Sequence, residues 1–233
     1  MVYKALADLL FPATCLVCGD SGAAGLDLCQ SCSAELAANS PACRCCALPL
    51  PPGTPDGSLC GRCGHQPPPF DRIIAPWLYR PPLTTMIQQL KFAHKLPAGR
   101  LLGQLLARQV PGPERPQLLL PVPQHGIQLR QRGFNHAAEI TRETANHLQI
   151  PWSPWTLLKM RPTPSQHGLN RKRRQNNLRG CFTFSENANV HHVAVIDDVV
   201  TTAATVAEIA RTLKRAGVEQ VEIWAVARTP LEP

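Results

Sequence analysis

Four Cys-x-x-Cys pairs fall within the first 63 residues of this chain: Cys15/Cys18, Cys29/Cys32, Cys43/Cys46 and Cys60/Cys63. A turn of that spacing presents both sulfurs from one tight loop, and two such turns can surround a tetrahedral Zn²⁺ at about 2.3 Å per Zn–S bond. Gly19 and Gly64 each follow the second cysteine of a pair, where they permit a tight or left-handed backbone. The segment is poor in large apolar side chains, so metal binding there is expected to supply its folding free energy. Sequential use, with Cys15, Cys18, Cys29 and Cys32 in one structural site and Cys43, Cys46, Cys60 and Cys63 in a second, is the expectation. Interleaved use of the pairs satisfies the same spacing. Cys45 and Cys181 stand off the pattern and read as ordinary thiols.

The metal reading depends on compartment. Ten cysteines in 233 residues would suit a disulfide framework in an exported chain, but Met1 to Leu10 carries Lys4 and Asp8 and no small-residue cleavage site. No run approaches the roughly 18 apolar residues that cross a bilayer. The expectation is therefore a cytoplasmic chain without a membrane span, where thiols stay reduced and ligate metal. A net charge of +8 favours polyanionic ligands, nucleic acid or phosphorylated metabolites. Between residues 159 and 179 lie Lys159, Arg161, Arg171, Lys172, Arg173, Arg174 and Arg179 without one Asp or Glu.

Gln66-Pro67-Pro68-Pro69 interrupts any helix or strand and marks a boundary between a zinc module over 1–66 and a second unit over 67–233. In the second unit, strands are expected over 73–79, 117–122, 181–184, 192–196 and 221–226. Helices are expected over 83–92, 99–110, around Ala137 to Leu148 and around Val206 to Leu213, ending at Ala216-Gly217. Alternation of this kind predicts an α/β domain on a mostly parallel sheet flanked by helices.

Within it, Val193-Ala-Val-Ile-Asp197-Asp198-Val-Val-Thr201-Thr202-Ala203-Ala204-Thr205 places two carboxylates at the end of a buried strand, before a hydroxyl-rich turn and a helix. Ligands of open α/β sheets bind at that end. The turn's N–H groups and the helix N-terminus suit a phosphate monoester, and ionised Asp197 and Asp198 can only accept hydrogen bonds, as from ribose hydroxyls or beside a magnesium-bound sugar.

The string resembles the binding motif for phosphoribosyl pyrophosphate (PRPP) in type I phosphoribosyltransferases. It departs at Ala203, where the family usually has a glycine free to take positive φ. Pro121-Val-Pro123, Arg130-Gln-Arg132-Gly133-Phe134-Asn135-His-Ala137, Thr163-Pro-Ser-Gln166 and Arg174-Gln-Asn-Asn177-Leu-Arg-Gly180-Cys-Phe182 narrow the likeness. With the zinc pairs they make the chain similar to the ComF family, GntX-type proteins included, from about Cys15 to Arg228. The resemblance implies a type I phosphoribosyltransferase-like fold behind a double zinc ribbon. It also implies a role in natural transformation and in the uptake and use of DNA, with DNA-uptake or recombination proteins as partners. PRPP with Mg²⁺ would sit on Asp197, Asp198 and residues 201–205 (Thr201, Thr202, Ala203, Ala204, Thr205). Gln124, His125 and Gly126, beside Arg130 and Arg132, would form the pyrophosphate loop. Asn135 would cap a helix, with Phe134 as a packing anchor. The basic segment, Arg161 to Arg179, takes the place of a loop that closes over PRPP, or else binds single-stranded DNA; Trp152, Trp155 and Phe182 beside it are expected in the core or at hinges. No catalytic residue is assigned. The alternative activity is transfer of ribose 5-phosphate from PRPP to a base or amine in nucleotide salvage.

Overall fold

The computed structural model describes residues 12–110, 115–162, 178–185 and 189–230. Two short helices, α1 (Gln30–Ala34) and α2 (Gly61–His65), each start directly after a cysteine of a metal pair, Cys29 and Cys60. After them come β1 (Arg72–Ile74), β2 (Trp77–Leu78), α3 (Leu83–Ala93), α4 (Leu96–Gln109), β3 (Leu118–Pro121), α5 (Gly126–Arg132) and α6 (His136–Leu148). The chain continues through β4 (Leu157–Lys159), β5 (Phe182–Phe184), β6 (His192–Val200), α7 (Ala204–Arg215) and β7 (Gln220–Arg228).

The main sheet is parallel, in the order β1, β7, β6, β3, with β2 also on β7. The strand expected over 73–79 is split in two because Pro76 has no N–H to give a ladder. Asn39 serves the gap: its N–H donates to Pro76 O at 2.8 Å and its Nδ2 to Ala75 O at 2.9 Å. β6 is apolar on both sides, as a doubly covered parallel strand must be. Val193 and Val195 face one core, Ala194 and Ile196 the other. On the second face lie α3, α4 and α6; on the first lie α7 and the antiparallel β4–β5 hairpin. α4 and α6 approach closely at Gly103, where a Cβ would stand 2.6 Å from that of Glu143.

The two ribbons straddle this sheet. Cys15, Cys29 and Cys32 share the core of Leu83, Leu90 and Leu101, whereas Cys43, Cys46, Cys60 and Cys63 share that of Ala207, Ile209 and Val221. The second ribbon and the chain between the two close the outer edge of β1 and β2, since Ile73 N–H donates to Cys45 O (2.8 Å) and Leu78 N–H to Ala37 O (2.9 Å). At the other edge, Leu119 N–H donates to Pro151 O (2.9 Å). Both flanks of the sheet are thus covered.

Candidate functional site

The sulfurs converge in the sequential grouping. Cys15, Cys18, Cys29 and Cys32 bring their Sγ atoms within 4.8 Å of one another, and so do Cys43, Cys46, Cys60 and Cys63. Backbone amides already favour thiolate: Cys32 N–H points at Cys29 Sγ (3.4 Å) and Cys60 N–H at Cys43 Sγ (3.3 Å). Burial opposes ionisation of Cys15 and Cys43, yet such amides bring them down to about 6 and about 7. Burial and the neighbouring sulfurs push Cys32 and Cys63 up instead. Four thiolates this close cannot all ionise without a cation among them, so the donor set fits a structural Zn²⁺ in each cluster.

At the carboxyl end of β6 the turn 201–203 leads into α7. Ala203 lies in the left-handed region, φ 61°, so the alanine adopts the conformation that a glycine would take freely, at a cost of about 1 kcal/mol. Asp197 and residues 199–206 line a small cup of about 30 Å³. Among the described residues no acceptor is found for the amides of Thr201, Thr202 and Ala203, while Ala204 N–H is held by Thr202 Oγ1 (3.4 Å). Unpaired amides around a concavity are what a phosphoryl group requires.

The two carboxylates differ. Asp198 is 3% exposed, forms an ion pair with Lys91 of α3, and has Oδ1 3.5 Å from His136 Nε2 at the start of α6. Burial alone would raise its pKa, but Lys91 and then His136 override it and hold Asp198 far below the usual range. Asp197 lines the cup, and burial, then the charge of Asp198, raises its pKa well above the ordinary value. His136, Asp197 and Asp198 together offer ligand atoms within 4.8 Å, and the Lys91 ammonium already supplies positive charge beside them. Sequence reasoning missed Lys91, whose position near the end of an amphipathic helix reads as a solvated lysine.

The residues expected around the pyrophosphate lie partly on a helix. His125 caps α5 through its side chain, which accepts from Ile127 N–H (3.3 Å), and Arg130 and Arg132 lie in the last turn of that helix. Gln124 Nε2 reaches His136 Nδ1 at 2.7 Å and Arg132 Nη1 approaches the same atom at 3.4 Å. A guanidinium can only donate, so the Arg132 contact is one in which Nδ1 accepts, while Nε2 faces Asp198. A polar chain therefore runs from Gln124 through His136 to Asp198 and Lys91. Asn135 caps α6 by accepting from Ala137 N–H (3.0 Å), and its Nδ2 holds Val122 O at 3.0 Å. Phe134 packs against the core and pairs with His94 at 5.4 Å between ring centroids, and Arg132 lies over exposed Phe92.

The basic segment leaves from the β4–β5 hairpin. Arg171, Lys172, Arg173, Arg174 and the stretch Thr163 to Gln166 lie outside the described residues. Arg161 donates to Arg179 O (2.9 Å) and Gly180 O (3.2 Å), stitching the hairpin base. Gly180 N–H donates to Glu208 Oε1 of α7 (2.9 Å). Phe182 is buried, but Trp155, which precedes β4, is 74% exposed, so it does not lie in the core.

A family model for the double zinc ribbon domain matches residues 6–64. The chain is 33% identical over 228 residues to the DNA utilization protein YhgH of Escherichia coli O157:H7, covering 95% of this chain and 99% of that one. It belongs to the ComF/GntX family. A second member of the family, competence protein F of Haemophilus influenzae, is 32% identical over 178 residues, 72% of this chain and 78% of its own. Among solved structures the chain is similar to the glutamine PRPP amidotransferase from B. subtilis complexed with ADP and GMP, with a TM-score of 0.39 and 16% identity over 55% of this chain and 26% of that one. No helix among the described residues is long and apolar enough to cross a membrane.

Proposed function

We propose that this ComF/GntX protein binds PRPP at the end of β6 and serves DNA uptake and utilisation in the cytoplasm, with single-stranded DNA as its second ligand. The observation that carries the reading is the cup itself: amides of Thr201, Thr202 and Ala203 without acceptors, beside a half-buried Asp197. The turn and the first turn of α7 take the 5-phosphate, helped by the helix dipole. Asp197 accepts from the ribose hydroxyls once ligand contacts ionise it. Asp198 stands behind as a fixed anion held by Lys91 and His136. Arg130 and Arg132 offer charge to the diphosphate, with Gln124, His125 and Gly126 forming the approach to α5. Of the two acids, Asp197 is the one placed to meet Mg²⁺ carried by PRPP, since Asp198 already has a cation.

DNA is assigned to the hairpin side. The run from Lys159 to Arg179 carries positive charge only, and each phosphate it neutralises adds salt-dependent affinity. Exposed Trp155 supplies the aromatic face on which a strand binder stacks a base. Calorimetric titration of the zinc-loaded protein with PRPP, ribose 5-phosphate and a short single-stranded oligonucleotide, each at low and high salt, tests both halves. PRPP and ribose 5-phosphate are expected to bind wild type and not Asp197→Asn, with oligonucleotide affinity falling as salt rises. Equal sugar-phosphate binding by the Asp197 variant sinks the site assignment.

A further inference from the structure

The second ribbon and the phosphate turn face each other across a cavity of about 200 Å³, with Cys46, Cys60 and Cys63 on one side, Ala203 and Ala207 on the other, and Arg228 in the wall. Arg228 is the last residue of β7 and only 2% exposed. Its Nε donates to Cys46 O at 3.1 Å, and its Nη1 to Val200 O at 2.9 Å, to Thr229 O at 3.0 Å and to Thr201 O. One guanidinium therefore joins a metal-ligand residue of the second cluster to two consecutive carbonyls at the start of the phosphate turn.

Burying a cation is costly, and an apolar side chain would fill the same space more favourably. What the arginine adds is direction. In a trans peptide the C=O and the following N–H point opposite ways. Val200 O, which also accepts Thr229 N–H at 3.1 Å, and Thr201 O are both held on the Arg228 side, which turns the N–H groups of Thr201 and Thr202 to the opposite side, and these amides lack acceptors among the described residues.

We propose that Arg228 is a positioning residue which aims the amides of Thr201 and Thr202 at the ligand, and that its bond to Cys46 makes the second metal cluster a support of the binding turn. This rests on the sugar-phosphate reading above. In the zinc-loaded full chain, Arg228→Ala is expected to weaken ribose 5-phosphate binding about tenfold or more, the equivalent of two misaligned donors. Millimolar methylguanidinium, entering through the cavity, is expected to restore most of that loss and leave wild type unaffected. Cys60→Ser, which removes a ligand from the second cluster, is expected to weaken binding similarly, and combining it with Arg228→Ala to add little, since both cut one link. Hydrogen exchange supplies a readout that needs no ligand: the amides bonded to the two ends of the turn, Thr229 N–H on Val200 O and Ala207 N–H on Ala203 O, should exchange faster in both variants and in Arg228→Lys, which keeps the charge but not the fork, while β3 and the first half of β6 stay protected. Wild-type exchange at Thr229 and Ala207 in these variants, or full additivity of the two losses, overturns the proposal. If wild type binds no sugar phosphate, the functional reading falls, and the exchange result alone decides whether Arg228 and the cluster hold the turn.

Discussion

Asp197 and Asp198 are adjacent in sequence and opposite in behaviour. Asp198 has its pKa held down by Lys91 and His136, so it contributes stability that is present above the unfolded carboxylate value and lost as pH falls through the folded one. Asp198→Asn is expected to cost about 3–5 kcal/mol at pH 7, because Lys91 is left without its counter-ion; urea denaturation measures it. Asp197 has its pKa raised by burial and by Asp198, so the folded state prefers it protonated, and stability drops as pH climbs from the unfolded value through the folded one. Asp197→Asn, a neutral mimic, should therefore be more stable than wild type at pH 7, with the gain vanishing below about pH 4, even as it abolishes sugar-phosphate binding. A loss of stability at neutral pH would show that the assigned environment of Asp197 is wrong. The acid pair was legible in the sequence, because an apolar run ending in two acids and a hydroxyl-rich turn has one natural place in an open sheet. The division of labour between the acids was not. It depends on Lys91 and His136, which lie 107 and 62 residues away in the chain and meet Asp198 only when α3 and α6 pack on the same face.

At the scale of elements, period and breakers carried most of the architecture. α3, α4, α6, α7 and strands β3, β5, β6 and β7 fall where the apolar spacing puts them, within a few residues at their ends. The strand over 73–79 failed at Pro76, and α5 was missed because Gly126 to Arg132 has no apolar stripe to announce a helix; its ends are instead set by the His125 cap and by Gly133, whose φ of 77° only glycine adopts easily. β4 had no signal of its own beyond two leucines, and it exists because Leu157, Leu158 and Lys159 pair with Phe184, Thr183 and Phe182. The closest helix pair offers a test. Gly103→Ala puts a methyl group 2.6 Å from Glu143 Cβ and 2.7 Å from Ile140 O, so α4 must move off α6, and the variant is expected to lose about 1–3 kcal/mol by calorimetry. Because α6 carries His136, the same substitution should weaken PRPP binding, which a purely local clash would leave alone.

For the molecule as a whole, the zinc pairs are more than an appendage. Each cluster belongs to one of the two cores that sandwich the sheet, the chain joining them pairs with β2, and Cys45 of the second ribbon pairs with β1. The cysteine spacing revealed the sites; nothing local in it revealed that they would sit on opposite faces, since that is settled by distant partners on β7 and α7. Two zinc ions per chain are expected on release by a thiol-modifying reagent. Stripping both with a chelator should broaden thermal unfolding and promote aggregation, because an uncovered parallel edge becomes a template for other chains; an unchanged transition after complete metal loss would refute the packing role.

The strand with which both ribbons ultimately share a core, β7, ends at Arg228, so a ribosome makes the metal clusters well before their permanent neighbour. During synthesis the ribbons can close on zinc but must keep their inward faces bare until the final strand slots between β1 and β6. A ribosome-stalled chain ending near residue 215 should hold its metal and still bind chaperones or a hydrophobic dye, and should release them once the last strand is supplied.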